Sequence, residues 1–162
     1  MFPLAILLET IIGHFERGKQ LSTTEEQPLT EIPKRRLDPD VPAKYVIETA
    51  YGQTYIGSGV RSPDASVGIE DFGAGDTIRW RFWHAEVHYI LKGKAEVTYT
   101  LPAWHDEVKT MTVEANDCYV IPRGAELEWK VSPEEPLRKF CVVMPKDPLY
   151  DVRPKTMRKI VA

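Results

Sequence analysis

The amino-acid sequence predicts an all-β domain, a sandwich or barrel, preceded by a helical arm. From Tyr45 onward, short runs rich in β-branched and aromatic residues follow one another, as strands do. Clusters of Gly, Pro, Asn and Asp separate most of these runs and mark turns. No helical pattern lies between the runs, which excludes the alternation of strands and helices typical of parallel sheets.

The predicted arm covers residues 1–43. Apolar residues of segment 3–19 recur at three- and four-residue steps, Pro3 suits the first turn of a helix, and Gly18 suits its end. Residues 20–43 hold four prolines among polar residues and predict an extended connector. The helix is apolar on more than one side, so it either packs on its own domain or forms the interface of a homodimer.

Ten strands are predicted within a barrel of residues 44–145. They cover 45–50, 53–60, 66–72, 77–83, 86–92, 94–101, 108–114, 118–122, 126–132 and 138–144. Residues 146–162 contain two prolines and are expected to form an irregular C-terminal extension.

Composition narrows the classes of function. The 162 residues suffice for one domain with a real core, and a net charge of −3 offers no basic excess for nucleic acid. The apolar segment 1–12 is far shorter than the ~20 residues that span a bilayer and lacks a signal-peptide cleavage pattern. Cys118 and Cys141 are expected to be buried free thiols. We therefore expect a cytoplasmic protein that binds neither membrane nor nucleic acid.

The central stretch is Arg79–Gly93, which reads RWRFWHAEVHYILKG. It contains His84, Glu86 and His88 at alternate positions. Side chains alternate between the two faces of a strand, so these three share one face, with neighbours roughly 6.6–7 Å apart. That face is the candidate site.

Several motif positions resemble the cupin superfamily over roughly residues 65–144. Gly73, Glu86 and Gly93 stand in register with the first cupin motif, and Pro122 and Gly124 fit the second. The resemblance implies a single-domain jelly-roll β-barrel of the RmlC-like type, which commonly pairs as a homodimer. The residue pattern of the stretch that contains His84 and His88, followed by Ile-Pro-x-Gly, is similar to the pattern of the EutQ-like branch.

The metal-binding positions of the cupin motifs match poorly. Arg79 and Arg81 stand where the first motif has two histidines, and Leu127 stands where the second has one. Arginine stays protonated and leucine has no donor atom, so neither can bind a metal. Of the four ligand positions that the resemblance implies, only Glu86 remains.

The cupin pattern directs Glu86 to the barrel interior, and strand parity then directs His84 and His88 there as well. If a bend separates two strands before Glu86, Arg79 and Arg81 also point inward. If the strand runs straight, the alternate residues Trp80 and Phe82 point inward instead. On the second-motif strand, parity assigns an apolar interior wall to Leu127, Trp129 and Val131.

Three interpretations of this face remain open. In the first, His84, Glu86 and His88 form a relocated site for one divalent metal, Fe, Mn, Ni or Zn. In the second, no metal is present and the same three residues are acid–base groups. The second adds a pocket in which Arg79, Arg81, Trp83 and Trp129 bind the substrate. In the third, the three residues form a satisfied polar core without chemistry.

Burying three ionisable groups costs several kcal/mol unless they are paired, which favours a function over a passive core. We therefore predict a cupin-fold small-molecule enzyme of the lyase, isomerase, dehydratase or oxygenase type. Its substrate is expected to be a small organic acid or phenolic molecule. The alternative is a non-catalytic, EutQ-like protein that binds a small ligand.

Overall fold

The computed structural model describes residues 31–49, 52–144 and 156–159. These ranges contain the strands β1 (Tyr45–Thr49), β2 (Gly52–Arg61), β3 (Ser66–Phe72), β4 (Thr77–Arg81), β5 (Ala85–Lys92), β6 (Lys94–Leu101), β7 (Trp104–Glu114), β8 (Cys118–Ile121), β9 (Glu126–Val131), β10 (Leu137–Met144) and β11 (Thr156–Lys159). The prediction of an all-β domain is confirmed over this part of the chain.

Two antiparallel sheets make the barrel. One has seven strands in the order β11-β1-β2-β3-β10-β5-β8, and the other has four in the order β4-β9-β6-β7. The core lies between them and is lined by fully buried side chains such as Trp129, Ile90 and Leu137. The candidate strand β5 lies near one end of the larger sheet, between β10 and β8.

The turn glycines of the cupin pattern stand where the backbone requires them. Gly93, between β5 and β6, has a φ of 87°, which L side chains rarely adopt. A side chain at this position would also clash with the backbone carbonyl of Pro136. Asn116 takes a φ of 77° in the turn before β8, a conformation that Asn tolerates better than most residues.

Three expectations need correction. The hairpin turn between β6 and β7 lies at residues 102–103, so β7 begins at Trp104 and not at residue 108. The sequence predicts an irregular segment at residues 156–159, but these residues form β11, which pairs with β1. Cys118 is exposed, because the inward parity of β8 belongs to Tyr119 and Ile121; Cys141 is buried and both thiols are free.

The predicted helix at 3–19 lies outside the described residues, as do 145–155. Three expectations stay predictions: the domain boundaries at 43/44 and 145/146, the homodimer, and the cytoplasmic location. The part of the chain that the structure describes contains no helix long and apolar enough to cross a membrane.

Candidate functional site

The interior face of β5 carries the candidate residues, as strand parity predicts. His84 and His88 are almost completely buried, and the side chain of Glu86 is 13% exposed. Tyr89, on the opposite parity, points outward. His84 precedes β5 in a bend that is anchored by hydrogen bonds between Phe82 and the second-motif turn. The bend brings His84 back towards Glu86.

The Glu86 carboxylate is held between two imidazoles. Nε2 of His84 lies 2.7 Å from Oε1, and Nε2 of His88 lies 2.6 Å from Oε2. On a straight strand the two histidines would lie roughly 13 Å apart, but the central carboxylate reaches both rings with one oxygen each. The three residues that sequence parity grouped together are therefore in direct contact.

A chain of hydrogen bonds behind His88 determines the positions of its protons. The indole Nε1–H of Trp129 can only donate, and it donates to the Tyr119 hydroxyl at 3.1 Å. That hydroxyl lies 3.0 Å from Nδ1 of His88 and donates its own hydrogen there. Nδ1 therefore accepts, and the proton of the neutral imidazole sits on Nε2, which donates it to Glu86.

Electrostatics keeps these groups in defined charge states. Burial by itself would raise the pKa of Glu86, but the hydrogen bonds from His84 and His88 outweigh it and lower the pKa to about 2. Burial lowers the pKa of His88, and the nearby Lys139 ammonium lowers it further. At neutral pH Glu86 is an anion and His88 is neutral.

Glu86 opens onto a cavity of about 130 Å³ inside the barrel. Aromatic rings of Phe72, Trp80, Phe82 and Trp129 form much of its apolar lining. A cavity of roughly 150 Å³ in another protein holds benzene, so this one suits a ligand the size of a single ring. The exposed Arg61 also lines the cavity, which therefore reaches the solvent beside β2.

Sequence reasoning missed a second polar group in this cavity. Lys139 on β10 is 1% exposed, and its Nζ donates to Glu70 Oε2 at 2.8 Å and to Cys141 Sγ at 3.2 Å. Burial alone would lower the pKa of the ammonium, but Cys141 and the nearby carboxylates raise it above its ordinary value. The signal was present in the sequence: a lysine stands at the inward parity of β10, between Leu137 and Cys141.

The two arginines that were predicted to bind substrate do not lie inside the barrel. Arg79 and Arg81 point outward, with side chains 64% and 59% exposed, and both contact Glu126. A bend does separate β4 from β5, but, contrary to the expectation, it keeps the alternation of side chains in register, so Ile78, Trp80 and Phe82 take the interior positions.

Of the two predicted substrate-binding tryptophans, one lies at the cavity. Trp129 is completely buried and contributes to the cavity wall, as its parity predicts. Trp83 is 48% exposed on the outside, where the Arg81 guanidinium lies 5.2 Å from its ring centroid. It belongs to the outer surface of the bend and not to the pocket.

The arrangement does not fit a metal ion. Both Nε2 atoms that would bind a metal are directed at different oxygens of Glu86, so the three donors do not converge on one point. Over residues 31–49, 52–144 and 156–159, no group of three His, Cys, Asp or Glu side chains could hold a metal ion. Leu127 is buried where the cupin pattern has a histidine. The predicted metal would require these side chains to move.

No protein-family model matches the chain, and no curated protein matches its sequence. Solved structures do resemble it. A predicted oxalate decarboxylase from Thermotoga maritima superposes with a TM-score of 0.51 at 12% identity, covering 71% of this chain and 99% of that one. The Clostridium difficile EutQ protein gives 0.46 at 16% identity, covering 59% and 70%. A cupin superfamily protein from Desulfitobacterium hafniense gives 0.48 at 13% identity, covering 74% and 99%.

At these identities the likeness concerns the fold. Two antiparallel sheets enclose an interior site on β5, the turn glycines lie at the motif positions, and the Thermotoga structure superposes over almost its whole length. The protein therefore has the fold of the cupin superfamily.

Proposed function

We propose that this protein is a cupin-fold enzyme of the lyase, isomerase or dehydratase type that acts on a small organic acid or phenolic molecule inside the barrel. One observation carries the proposal. The Glu86 carboxylate is held by two buried imidazoles, and it is nevertheless part of the wall of a cavity the size of one ring. A carboxylate that served packing alone would need no open space beside it.

Glu86 acts in this proposal as a fixed anion and not as a store for protons. With a pKa of about 2, its protonation at pH 7 costs about 7 kcal/mol. A ligand hydroxyl that donates to this carboxylate gains electron density, which assists departure of a leaving group, with its bonding electron pair, elsewhere on a conjugated ligand. Such stabilisation by pre-oriented charge in a water-poor site is a large part of catalysis in many enzymes.

His84 and His88 are positioning residues for that anion. They fix the direction of both carboxylate oxygens before any ligand enters, so no reorganisation is needed when the ligand binds. The Tyr119 and Trp129 hydrogen bonds extend the same support to His88.

Turnover can be tested before the substrate is identified. Protein in D₂O is incubated with a panel of single-ring phenols and small unsaturated acids, and proton NMR follows both product signals and loss of carbon-bound hydrogen. We expect one class of compound to react with the wild type and with Glu96→Gln, which alters an exposed carboxylate on β6. Glu86→Gln should lower that rate by at least about a hundredfold. An undiminished rate in Glu86→Gln would overturn the proposal.

A second candidate is the non-catalytic, EutQ-like protein that only binds a small ligand. The pattern of charge states supports it: the pKa of Glu86 and of His88 is lowered, and burial raises the pKa of Tyr119 and of Cys141. Each of these groups keeps one charge state at neutral pH, so none is poised to exchange protons there. Ligand binding that requires Glu86, without any turnover in the NMR panel, would favour this candidate.

A further inference from the structure

The cavity has a second polar group, the ammonium of Lys139. Its neighbours across the sheet are Ile90 on β5 and Glu70 on β3. Glu86 on β5 and Lys139 on β10 both line this cavity. The cavity therefore offers a hydrogen-bond acceptor and a hydrogen-bond donor beside aromatic walls.

The Lys139 ammonium has donor capacity left for a ligand. Nζ carries three N–H groups, and among the described residues two of them are accounted for by Glu70 and Cys141. The group also lies 4.3 Å from the Phe72 ring centroid, which holds it in place by a cation–π contact. The third N–H is available to an oxygen atom within the cavity.

The charges in the cavity select against an anion. Glu70 and Glu86 contribute two carboxylates against the single ammonium of Lys139, which leaves one net negative charge in the interior. Burial strengthens the repulsion between that charge and a ligand carboxylate. Arg61 lies at the exposed edge of the cavity and is screened by solvent.

We propose that the ligand of this cavity is a small neutral molecule with a hydroxyl group, which donates to Glu86, and a carbonyl oxygen, which accepts from Lys139. Lys139 is then the residue that determines specificity for the carbonyl. This inference rests on the proposed function, because it uses the same cavity and the same Glu86. Within the two predicted substrate classes it selects the phenolic one and rejects the organic acids.

Four single-ring probes test the inference by titration calorimetry. Para-hydroxyacetophenone carries both groups, acetophenone lacks the hydroxyl, para-ethylphenol lacks the carbonyl, and para-hydroxybenzoate carries a negative charge. We expect para-hydroxyacetophenone to bind at least about tenfold more tightly than acetophenone or para-ethylphenol, the worth of one hydrogen bond to a charged group. Para-hydroxybenzoate should bind more weakly than para-hydroxyacetophenone.

Two variants assign the effect to the predicted residues. Lys139→Met should lower the affinity for para-hydroxyacetophenone about tenfold and leave para-ethylphenol unchanged, because only the ketone contacts Lys139. Glu70→Gln removes one carboxylate and should strengthen the binding of para-hydroxybenzoate. The exposed Glu96→Gln serves as the control. If Lys139→Met does not fold, the affinity of Glu70→Gln for para-hydroxybenzoate and the ranking of the four probes on the wild type still test the inference.

The outcomes separate this inference from the proposed function. Para-hydroxybenzoate binding most tightly to the wild type, or a Lys139→Met effect of equal size on the ketone and on para-ethylphenol, would overturn the inference alone. Phenols whose binding requires Glu86 but is equally tight with and without a carbonyl group would also overturn only the inference. If the folded wild type binds none of the four probes at millimolar concentration, both the inference and the proposed phenolic site fail.

Discussion

The pH dependence of stability tests the account of Glu86 most directly. The hydrogen bonds from His84 and His88 lower the pKa of this carboxylate from the ordinary value of 4.5 to about 2 in the folded protein. In the unfolded chain the carboxylate takes up a proton near pH 4.5. Between pH 4.5 and 2 the unfolded state therefore binds more protons, and the free energy of unfolding falls as the pH falls.

The size of the effect follows from that difference in pKa. Each unit is worth about 1.4 kcal/mol, so Glu86 contributes about 3 kcal/mol above pH 4.5, and this is lost as the pH falls towards 2. His88 also has a lowered pKa in the folded protein, so it too makes the free energy of unfolding fall as the pH falls below its ordinary pKa of 6.5. Both the wild type and a Glu86 variant contain His88, so the informative quantity is the difference between their slopes.

The assay is urea unfolding of the wild type, Glu86→Gln and the control Glu96→Gln at several pH values from 7 to 2.5. At pH 7 we expect Glu86→Gln to be destabilised by about 3 kcal/mol and Glu96→Gln to change by less than about 0.5 kcal/mol. Below pH 4.5 the free energy of unfolding should fall more steeply with falling pH in the wild type than in Glu86→Gln. The difference between the two slopes should correspond to the uptake of up to one additional proton on unfolding. Parallel slopes, or a Glu86→Gln protein as stable as the wild type at pH 7, would refute the argument.

Three further predictions concern the surroundings of Glu86. Tyr119→Phe should lower the free energy of unfolding by about 2–3 kcal/mol, because it leaves Trp129 Nε1 and His88 Nδ1 without the hydroxyl that joins them. The control Tyr89→Phe, on the outside of the barrel, should change it by less than about 0.5 kcal/mol. Equal losses of the two variants in urea unfolding would contradict the hydrogen-bond chain from Trp129 through Tyr119 to His88. Substituting both Glu126-bound arginines by alanine should leave ligand affinity unchanged and stability within about 1 kcal/mol, since these ion pairs are exposed; a weakened affinity in calorimetry would restore their predicted substrate-binding role. Elemental analysis of protein purified without chelator should give the same metal content for the wild type and His88→Ala, and a stoichiometric metal lost in the variant would restore the predicted metal site.

The fold was largely predictable because strands and turns leave local signals. Alternating or apolar runs bounded by Gly, Pro, Asn and Asp located all of the strands from β1 to β10 to within a few residues. β11 was missed because a four-residue strand that follows a proline closely carries no such signal, and only the pairing of these residues with β1 makes them a strand. The hairpin turn before β7 was misplaced for a similar reason: Trp104-His105-Asp106 resembles a turn, but the register with β6 continues through Trp104.

The candidate site was predicted in part. Parity alone places His84, Glu86 and His88 on one face, and the structure shows them in contact. Parity alone could not assign the inward residues of β4, because that choice depends on whether the bend between β4 and β5 keeps the alternation of side chains in register. The hydrogen bonds of Phe82 to the second-motif turn decide it, and these join segments about forty residues apart in the sequence.

Residue types and turn signals in the sequence determine the all-β class, and the resemblance to the cupin motifs adds the interior position of Glu86 and the loss of the usual metal ligands. A period of two along one strand then directs His84 and His88 to the same face as Glu86. Only the tertiary structure decides that Lys139 meets Glu70, because that contact depends on the register between β10 and β3. The charge state of Glu86 is also tertiary. Burial and hydrogen bonding oppose each other there, and only the distances to the two imidazoles show that hydrogen bonding is the stronger effect.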